Sequence, residues 1–528
     1  MAAMNRRAFL AAAAAAAAPP PAPRKDPRPD IVIILADDLG FSDIGCYGGE
    51  IETPHLDRLA QRGVRFSQFY CAARCCPTRA SLLTGLYPHQ AGVGHMVEDR
   101  GLPSYQGYLN RRSVTLAEAL KPAGYATLMS GKWHVGERRP HWPCDRGFDH
   151  YFGLISGASS YFRLDPGRTM AIDYEPFTPP EKDFYMTDAI TDHAVRMVRE
   201  AAARPRPFLL YLAYTAPHWP LHALPADIEK YRGRYRKGWD RLRAERHERM
   251  IAMGLVDRSW PLSPRDEGVP AWDSLTDKEK DEWDLRMAVY AAQVDRMDRG
   301  IGRVLAELEK SGRLDNTFVL FLSDNGGCAE ENIGGGMEKK GPNPAPGGPD
   351  SFTSYRRPWA NASNTPFRLY KQYTHEGGIA TPAIAFWPAR IRQPGTITHE
   401  IGHVIDIMPT LLRISGAQYP GQNQGTPTLP PEGISLTTCV VHGGGLPRNA
   451  PGLFWEHQGH KAFRQGNWKL VARHRGPWEL YNLAEDRTEL NDLAPREPKR
   501  VQQMAAEWQR WAGRCGVVDF DKLPRPRS

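Results

Sequence analysis

Cysteine is scarce in this chain, which has eight in 528 residues. No two of them are spaced as CxxC, the pairing that commonly marks a structural zinc site. This content is also too low for a disulfide-rich scaffold, although one or two bridges would be compatible with an oxidising compartment. Hydrophobic residues make up 41% of the chain, which argues against global disorder. We therefore expect a fold built on a large hydrophobic core.

Two further features are missing from the sequence. The N-terminal alanine run is too short to span a bilayer, and no later apolar stretch reaches the roughly 20 residues that a span requires. The formal net charge is +8, but the basic residues form no stripe interleaved with aromatic side chains. We therefore expect no stable membrane span and no nucleic-acid partner.

The N-terminus carries a twin-arginine pattern. Asn5-Arg6-Arg7-Ala8-Phe9-Leu10 precedes an alanine run from Ala11 to Ala18 and a proline-rich segment. Paired arginines before a short apolar run are typical of bacterial export signals, and a short helix or low-complexity tail is the alternative. We predict that residues 1–28 are a signal peptide and linker read by the twin-arginine export machinery. The mature protein would then be periplasmic or secreted.

Apolar runs and helical patterns alternate along the chain. The predicted strands are Ile31–Ala36, Tyr125–Ser130, Phe208–Tyr214, Thr317–Leu322 and Thr381–Trp387. The predicted helices include Phe184–Ala202 and Leu285–Leu308. This alternation predicts an α/β domain over residues 29–445, with a large, mostly parallel central sheet flanked by helices. Residues 446–528 carry short strand patterns and an amphipathic stripe, which predict a small C-terminal antiparallel sheet with a helix.

Ionisable or amide residues follow four of the predicted strands. In chain order they are Asp37 and Asp38, Lys132 and His134, His218, and Asp324 and Asn325. Ligands of mostly parallel sheets bind beyond the carboxyl ends of the strands, so we expect these side chains to converge on one site.

One segment carries a nucleophile motif. Cys75-Cys76-Pro77-Thr78-Arg79-Ala80-Ser81-Leu82-Leu83-Thr84-Gly85 closely resembles the sulfatase signature, with Thr78 where serine is commoner. For an isolated Cys-Cys-Pro triplet, buried or disulfide-forming cysteines would be the better interpretation. The resemblance implies that a maturation enzyme oxidises Cys75 to formylglycine and that Arg79 stabilises it. A geminal diol can attack sulfur and then eliminate sulfate, whereas a thiol would leave a stable adduct.

The same resemblance implies a metal site. The matching positions are Asp37, Asp38, Asp324 and Asn325. Hard oxygen ligands favour calcium, with magnesium as the alternative, over zinc. Asp-Asp or Asp-Asn-Gly alone would be weak evidence, because acidic strand ends and turns are common.

Four further residues match family positions. The resemblance assigns Lys132, in Gly-Lys-Trp-His, to anchoring sulfate, and His134 to deprotonating the diol after transfer. It places His218 opposite the leaving group. Lys371, five residues before Glu376, would contact sulfate and assist protonation of the leaving group. Taken singly, each is better explained as an ordinary loop residue.

The resemblance extends from about Pro29 to the C-terminus and is greatest to bacterial arylsulfatases. It implies an alkaline-phosphatase-like fold and hydrolysis of a sulfated small molecule or carbohydrate, releasing inorganic sulfate. A phosphonate monoester or phosphodiester hydrolase on the same scaffold is the nearest alternative. A non-catalytic glycan-binding protein is a weaker one, because no catalytic or metal position is missing.

Overall fold

The computed structural model describes residues 26–331, 344–446, 448 and 452–526. The twin-arginine pattern lies outside these residues, so its prediction stays untested. The boundaries predicted at residues 28 and 445 also stay predictions. Among the described residues, no helix is both long and apolar enough to cross a membrane. All eight cysteines are described, and they are buried and unpaired.

A ten-stranded sheet forms the centre of the part that the structure describes. Its strands are β1 (Asp30–Ala36), β2 (Val64–Tyr70), β3 (Ala126–Gly131), β4 (His150–Leu154), β5 (Met170–Ile172), β6 (Glu175–Pro176), β7 (Phe208–Ala213), β8 (Thr317–Ser323), β9 (Ala380–Phe386) and β10 (Thr396–His403). Their order is β10-β2-β9-β8-β1-β7-β3-β4-β5-β6. Neighbours run parallel except that β9 and β5 are each antiparallel to both neighbours. The prediction of a mostly parallel sheet is confirmed.

Helices cover both faces of the sheet. In chain order, the α-helices of the described residues are α1 (Pro54–Arg62), α2 (Cys75–Thr84), α3 (Pro88–Ala91), α4 (Leu116–Leu120), α5 (Met186–Ala202), α6 (Pro225–Glu229), α7 (Trp239–Met253), α8 (Asp277–Lys310), α9 (Arg356–Ser363), α10 (Glu376–Ile379), α11 (Ile407–Ser415), α12 (Thr437–His442) and α13 (Pro498–Cys515). The last of these belongs to the C-terminal subdomain. Successive strand side chains point to opposite faces. Val32 and Ile34 of β1 accordingly belong to the core that contains α5 and α8, whereas Ile33 belongs to the core that contains α2, α4 and α11.

The four strands followed by polar residues are adjacent in the sheet. β8, β1, β7 and β3 lie side by side and run parallel, with Leu35 paired to Leu322 on one side and to Ala213 on the other. Their carboxyl ends therefore meet at one edge. This adjacency is the topological basis of the site described below.

The C-terminal subdomain is a four-stranded antiparallel sheet with α13 packed against it. Its strands are β13 (Leu453–His457), β14 (His460–Gln465), β15 (Trp468–Ala472) and β16 (Glu479–Asn482). A separate two-stranded ribbon, β11 (Gln422–Asn423) with β12 (Thr426–Pro427), precedes it. The predicted sheet-plus-helix architecture is confirmed.

A buried charge cluster joins this subdomain to the central domain. Glu376, at the start of α10, accepts from Lys469 Nζ at 2.8 Å and from Arg487 Nε at 3.0 Å. Lys469 also lies 2.8 Å from Glu489, and Tyr70 of β2 donates to Glu376 at 2.9 Å. All five side chains are buried. Buried charges are tolerated only when they are paired, so the cluster depends on every member.

Replacing Lys469 with methionine should destabilise the protein by about 3–5 kcal/mol, because Glu376 and Glu489 lose a buried cation. Denaturant unfolding followed by tryptophan fluorescence measures this. The matched control is Arg475→Ala, which removes an exposed ion pair with Asp521. Equal destabilisation by the two substitutions would contradict the assignment.

Candidate active site

Buried polar side chains gather at the carboxyl edge of β8, β1, β7 and β3. Asp37 and Asp38 follow β1, and Asp324 and Asn325 follow β8; all are at most 1% exposed. Asp38 has a left-handed backbone conformation with φ 66°, which is uncommon for a residue other than glycine. Its amide donates to Asp324 Oδ1 at 3.2 Å, which ties the two strand ends together.

Helix α2 places the positive charge of Arg79 at the same edge of the sheet. It begins at Cys75 and tolerates Pro77 because the first turn of a helix has no intrahelical acceptor for its amides. One turn on, Arg79 Nη2 lies 2.9 Å from Asp324 Oδ2 and 3.5 Å from Asp37 Oδ2. Its Nη1 donates to the Lys132 carbonyl at 2.9 Å. Arg79 therefore joins the ends of three strands.

Two lysines complete the charge balance. Lys132, directly after β3, places Nζ 2.5 Å from Asp37 Oδ2. Lys371 Nζ lies 2.9 Å from Asp38 Oδ2 and 3.3 Å from His218 Nε2, while His218 Nδ1 lies 2.6 Å from the Trp219 carbonyl. Both lysines and His218 are buried.

The pKa shifts follow from this crowding. Burial would raise the pKa of Asp37, but Lys132, His218 and Arg79 outweigh it and lower that pKa to about 2. Burial and the neighbouring Asp37 raise the pKa of Asp324 well above its ordinary value, although Arg79 opposes this. An added cation would therefore relieve a repulsion that the protein's own cations leave in place.

Two oxygen atoms indicate where such a cation would bind. Asp37 Oδ1 and Asn325 Oδ1 are buried and have no hydrogen-bond partner among the described residues. Asn325 Nδ2 donates to Asp38 Oδ1 at 2.7 Å, which fixes the amide. Buried oxygens without partners are costly, so three carboxylates and an amide with two free oxygens fit a hard divalent cation.

The structure also offers a ligand that the sequence did not assign to metal. His218 approaches Asp37 and Asp38 so that one ligand atom from each lies within 4.8 Å of the others. His218 Nε2 is already 3.3 Å from Lys371 Nζ, however. The free oxygens of Asp37 and Asn325 therefore make the all-oxygen set the better fit.

A cavity of about 720 Å³ opens above these residues. Cys75, His134, His218 and Lys371 line it. His134 has φ 56°, and its amide donates to the Ile155 carbonyl at 3.1 Å. The structure thus brings all ten predicted residues together, six of them buried below the cavity and four on its wall.

Sequence reasoning missed Glu330, which lies on this wall. Glu330 accepts from Arg74 at 2.9 Å, from Trp219 Nε1 at 2.9 Å and from Gln372 at 3.1 Å. Burial would raise the pKa of Glu330, but Lys371 and Arg74 hold it below its usual range. No local motif surrounds Glu330, and only its place after Asp324, near a strand end, could have indicated it.

Comparison with known proteins agrees with this geometry. The sulfatase family model matches residues 29–417. An uncharacterized sulfatase of Schizosaccharomyces pombe is 37% identical, over 93% of this chain and 94% of that protein. The arylsulfatase of Klebsiella aerogenes is 35% identical, over 82% of this chain and 97% of that enzyme.

Solved structures share the fold of this chain. Ps i-CgsB in complex with k-i-k-neocarrahexaose is similar with a TM-score of 0.69 and 25% identity, over 92% of this chain and 93% of that one. A protein solved with its substrate D-glucosamine-2-N,6-O-disulfate shares the fold, with a TM-score of 0.61 and 23% identity, over 94% of this chain and 99% of that one.

The strand-end site and the fold are consistent with an enzyme of the sulfatase type. The chain belongs to the sulfatase family and is a sulfuric ester hydrolase. Sulfatases use a metal ion and a formylglycine residue, and the oxygen set described above is compatible with such an ion.

Gly157 leaves the space that His134 occupies. A Cβ atom at position 157 would lie 2.4 Å from His134 Nε2, so Gly157→Ala must displace the imidazole. We expect hydrolysis of 4-nitrophenyl sulfate to fall by about 10- to 100-fold, because displacements near 1 Å cost rates of this order. Gly421→Ala, where no atom lies within 4 Å of the new Cβ, is the control. Unchanged kcat in Gly157→Ala would contradict a role for His134.

Proposed function

We propose that this protein hydrolyses sulfate monoesters in the manner of arylsulfatases. Formylglycine made from Cys75 provides the nucleophile, and Asp37, Asp38, Asp324 and Asn325 hold a divalent cation. The observation that carries the proposal is the pair of unpartnered buried oxygens, on Asp37 and Asn325, at the edge of the sheet below the cavity that Cys75 lines. Calcium is favoured because it accepts irregular oxygen sets, whereas magnesium demands near-octahedral geometry.

The bound cation supplies positive charge and Lewis acidity toward a sulfate oxygen. Lys132 and Lys371 supply the remaining positive charge. Burial alone would lower the pKa of Lys371, but Asp38 raises it well above its ordinary value, so its ammonium stays charged. Lys371, on the cavity wall, can therefore bind the anionic sulfate group and orient it toward position 75, whereas Lys132 lies below the wall and holds Asp37.

Three proton transfers accompany the reaction. A hydrated aldehyde at position 75 supplies one hydroxyl for attack, which gives its proton to the neighbouring Asp324 carboxylate, and a second hydroxyl for release of sulfate. His134, on the same cavity wall, accepts the proton of that second hydroxyl at a ring nitrogen. Lys371 Nζ donates a proton to the departing oxygen, and His218, held by the Trp219 carbonyl with Nε2 3.3 Å from Lys371 Nζ, positions that ammonium.

Arg79 positions the carboxylates rather than the substrate. It is fully buried and contacts Asp37, Asp324 and the Lys132 carbonyl, and it is absent from the cavity wall. Its fixed charge and forked donors suit this bridging role. We expect it to keep the strand ends in register around the nucleophile.

Two substrate classes fit the cavity. Similarity to the Klebsiella aerogenes arylsulfatase supports an aryl sulfate, and the carbohydrate bound to Ps i-CgsB supports a sulfated sugar. The cavity wall contains both aromatic residues, Tyr108 and Trp219, and exposed arginines, Arg138 and Arg168. A phosphonate monoester would occupy the same site, and the ratio of kcat/KM for 4-nitrophenyl sulfate and a phenyl phosphonate ester separates these reactions.

The twin-arginine pattern extends the proposal to location. We propose that the chain is exported folded to the periplasm or beyond, after the maturation enzyme has modified Cys75. Replacing Arg6 and Arg7 with lysines should retain the protein in the cytoplasm, as fractionation of the bacterial host would show. Continued export would contradict use of this route.

Co-expression with a formylglycine-generating enzyme should lower the mass of the tryptic peptide Cys75–Arg79 by about 18 Da. Activity toward 4-nitrophenyl sulfate should rise with the modified fraction, and Cys75→Ala should reduce it to background. Cys144→Ser, at a buried cysteine away from the cavity, is the control. An unmodified Cys75 in a fully active enzyme would contradict the mechanism.

Replacing Asn325 with alanine removes one of the unpartnered oxygens and should weaken calcium binding by at least about tenfold. After chelation, restoring activity should need correspondingly more calcium. The rise in melting temperature caused by calcium measures binding independently of catalysis. The exposed Asn491→Ala is the control. Identical calcium dependence in the two variants would contradict the site.

A further inference from the structure

A cluster of soft ligands adjoins the hard-oxygen site. Cys76 Sγ lies 3.3 Å from both ring nitrogens of His134. Cys75, Cys76 and His134 each offer one ligand atom, and these three atoms lie within 4.8 Å of one another. The three residues are at most 5% exposed. The proposed reaction uses Cys75 and His134, but it leaves the Cys76 thiol without a role.

The spacing of these atoms suits a tetrahedral zinc ion. Zn–S bonds of about 2.3 Å and Zn–N bonds of about 2.0–2.1 Å place neighbouring sulfur and nitrogen ligands about 3.6 Å apart, and two sulfurs about 3.8 Å apart. The Cys76–His134 distance of 3.3 Å is close to the sulfur–nitrogen value, and all three ligand atoms lie within 4.8 Å of one another. Small side-chain movements therefore suffice for three-point coordination.

We propose that the chain in which Cys75 is still a thiol binds a soft divalent cation, zinc, through Cys75 Sγ, Cys76 Sγ and a ring nitrogen of His134. The proposal concerns the unoxidised chain and stands whether or not position 75 is later converted to formylglycine. Two thiolates and an imidazole are the ligands that zinc prefers, whereas the neighbouring oxygen set prefers calcium or magnesium.

The surroundings leave the cluster accessible from the cavity. The ring nitrogens of His134 contact Cys76 Sγ, and a zinc ion would replace that contact. Cys75 and His134 line the cavity, so an ion can reach them and a water molecule can fill the fourth position.

Zinc bound here would prevent Cys75 and His134 of the unmatured protein from reacting. It would occupy the sulfur of Cys75 and the imidazole of His134, and binding would release the thiol protons. The chain would then discriminate between two classes of metal within one cavity. Soft ions would bind on the α2 side, and hard ions on the strand-end side.

The test uses the full-length chain made without a maturation enzyme, reduced, stripped of metal and supplied with excess calcium to fill the oxygen site. Cobalt serves as the optical probe for zinc. One equivalent should produce thiolate-to-cobalt charge-transfer absorption and the intense visible bands of tetrahedral cobalt, and zinc should displace it. Cys75→Ser and Cys76→Ser should each weaken binding by at least about tenfold.

Cys144→Ser controls for removal of a buried cysteine outside the cluster, and circular dichroism verifies the fold of each variant. Absence of charge-transfer absorption in the parent, or parent-like affinity in Cys76→Ser, would overturn the proposal. A second measurement uses no thiol substitution: zinc should slow alkylation of Cys75 in the parent, and His134→Ala should lose this protection. An alkylation rate that is independent of zinc in the parent would also overturn it.

Discussion

The crowding of Asp37, Asp38 and Asp324 is the constraint on which the rest of the site depends. Three carboxylates at most 1% exposed meet where β1 and β8 end. Burying such charges is costly unless they are paired, so positive charge must reach them from elsewhere in the chain. Arg79 from α2, Lys132 from the end of β3, and Lys371 supply it. The positions of these elements are thus coupled through one electrostatic requirement.

The pairing of the buried oxygens at these strand ends is incomplete. Asp37 Oδ1 and Asn325 Oδ1 have no partner in the part of the chain that the structure describes, whereas the other oxygens of Asp37 and Asp38 contact lysines or the Asn325 amide. Left-handed backbone at Asp38 and His134 accompanies this arrangement, and such conformations often mark functional sites. The unpaired oxygens at the strand ends are therefore the feature that a bound cation would satisfy.

The fold was predictable where burial gives a local signal. β1, β3, β7, β8 and β9 follow continuous apolar runs, and α5 and α8 follow helical stripes. β2 and β10 were missed because polar residues such as Arg65, Gln68 and Glu400 interrupt them. The antiparallel direction of β9 depends on which strands it pairs with, and no apolar run encodes that.

The residues of the site also divide into those that the sequence predicts and those that it does not. The motif and strand-end residues were predictable from the sequence. Gly157 and Glu330 were not, because their contacts join segments far apart in the chain: Gly157 packs against His134, and Glu330 bridges Arg74 and Trp219. The contact of Cys76 with His134 is of the same kind. Such roles arise from tertiary proximity, which a local pattern does not record.

The most direct test of this account is a crystal structure of the matured protein grown with calcium. The account predicts a calcium peak within about 2.3–2.6 Å of both Asp37 Oδ1 and Asn325 Oδ1, adjoining position 75. A map in which water or the Lys132 ammonium satisfies those two oxygens, with no cation between the ends of β1 and β8, would contradict it.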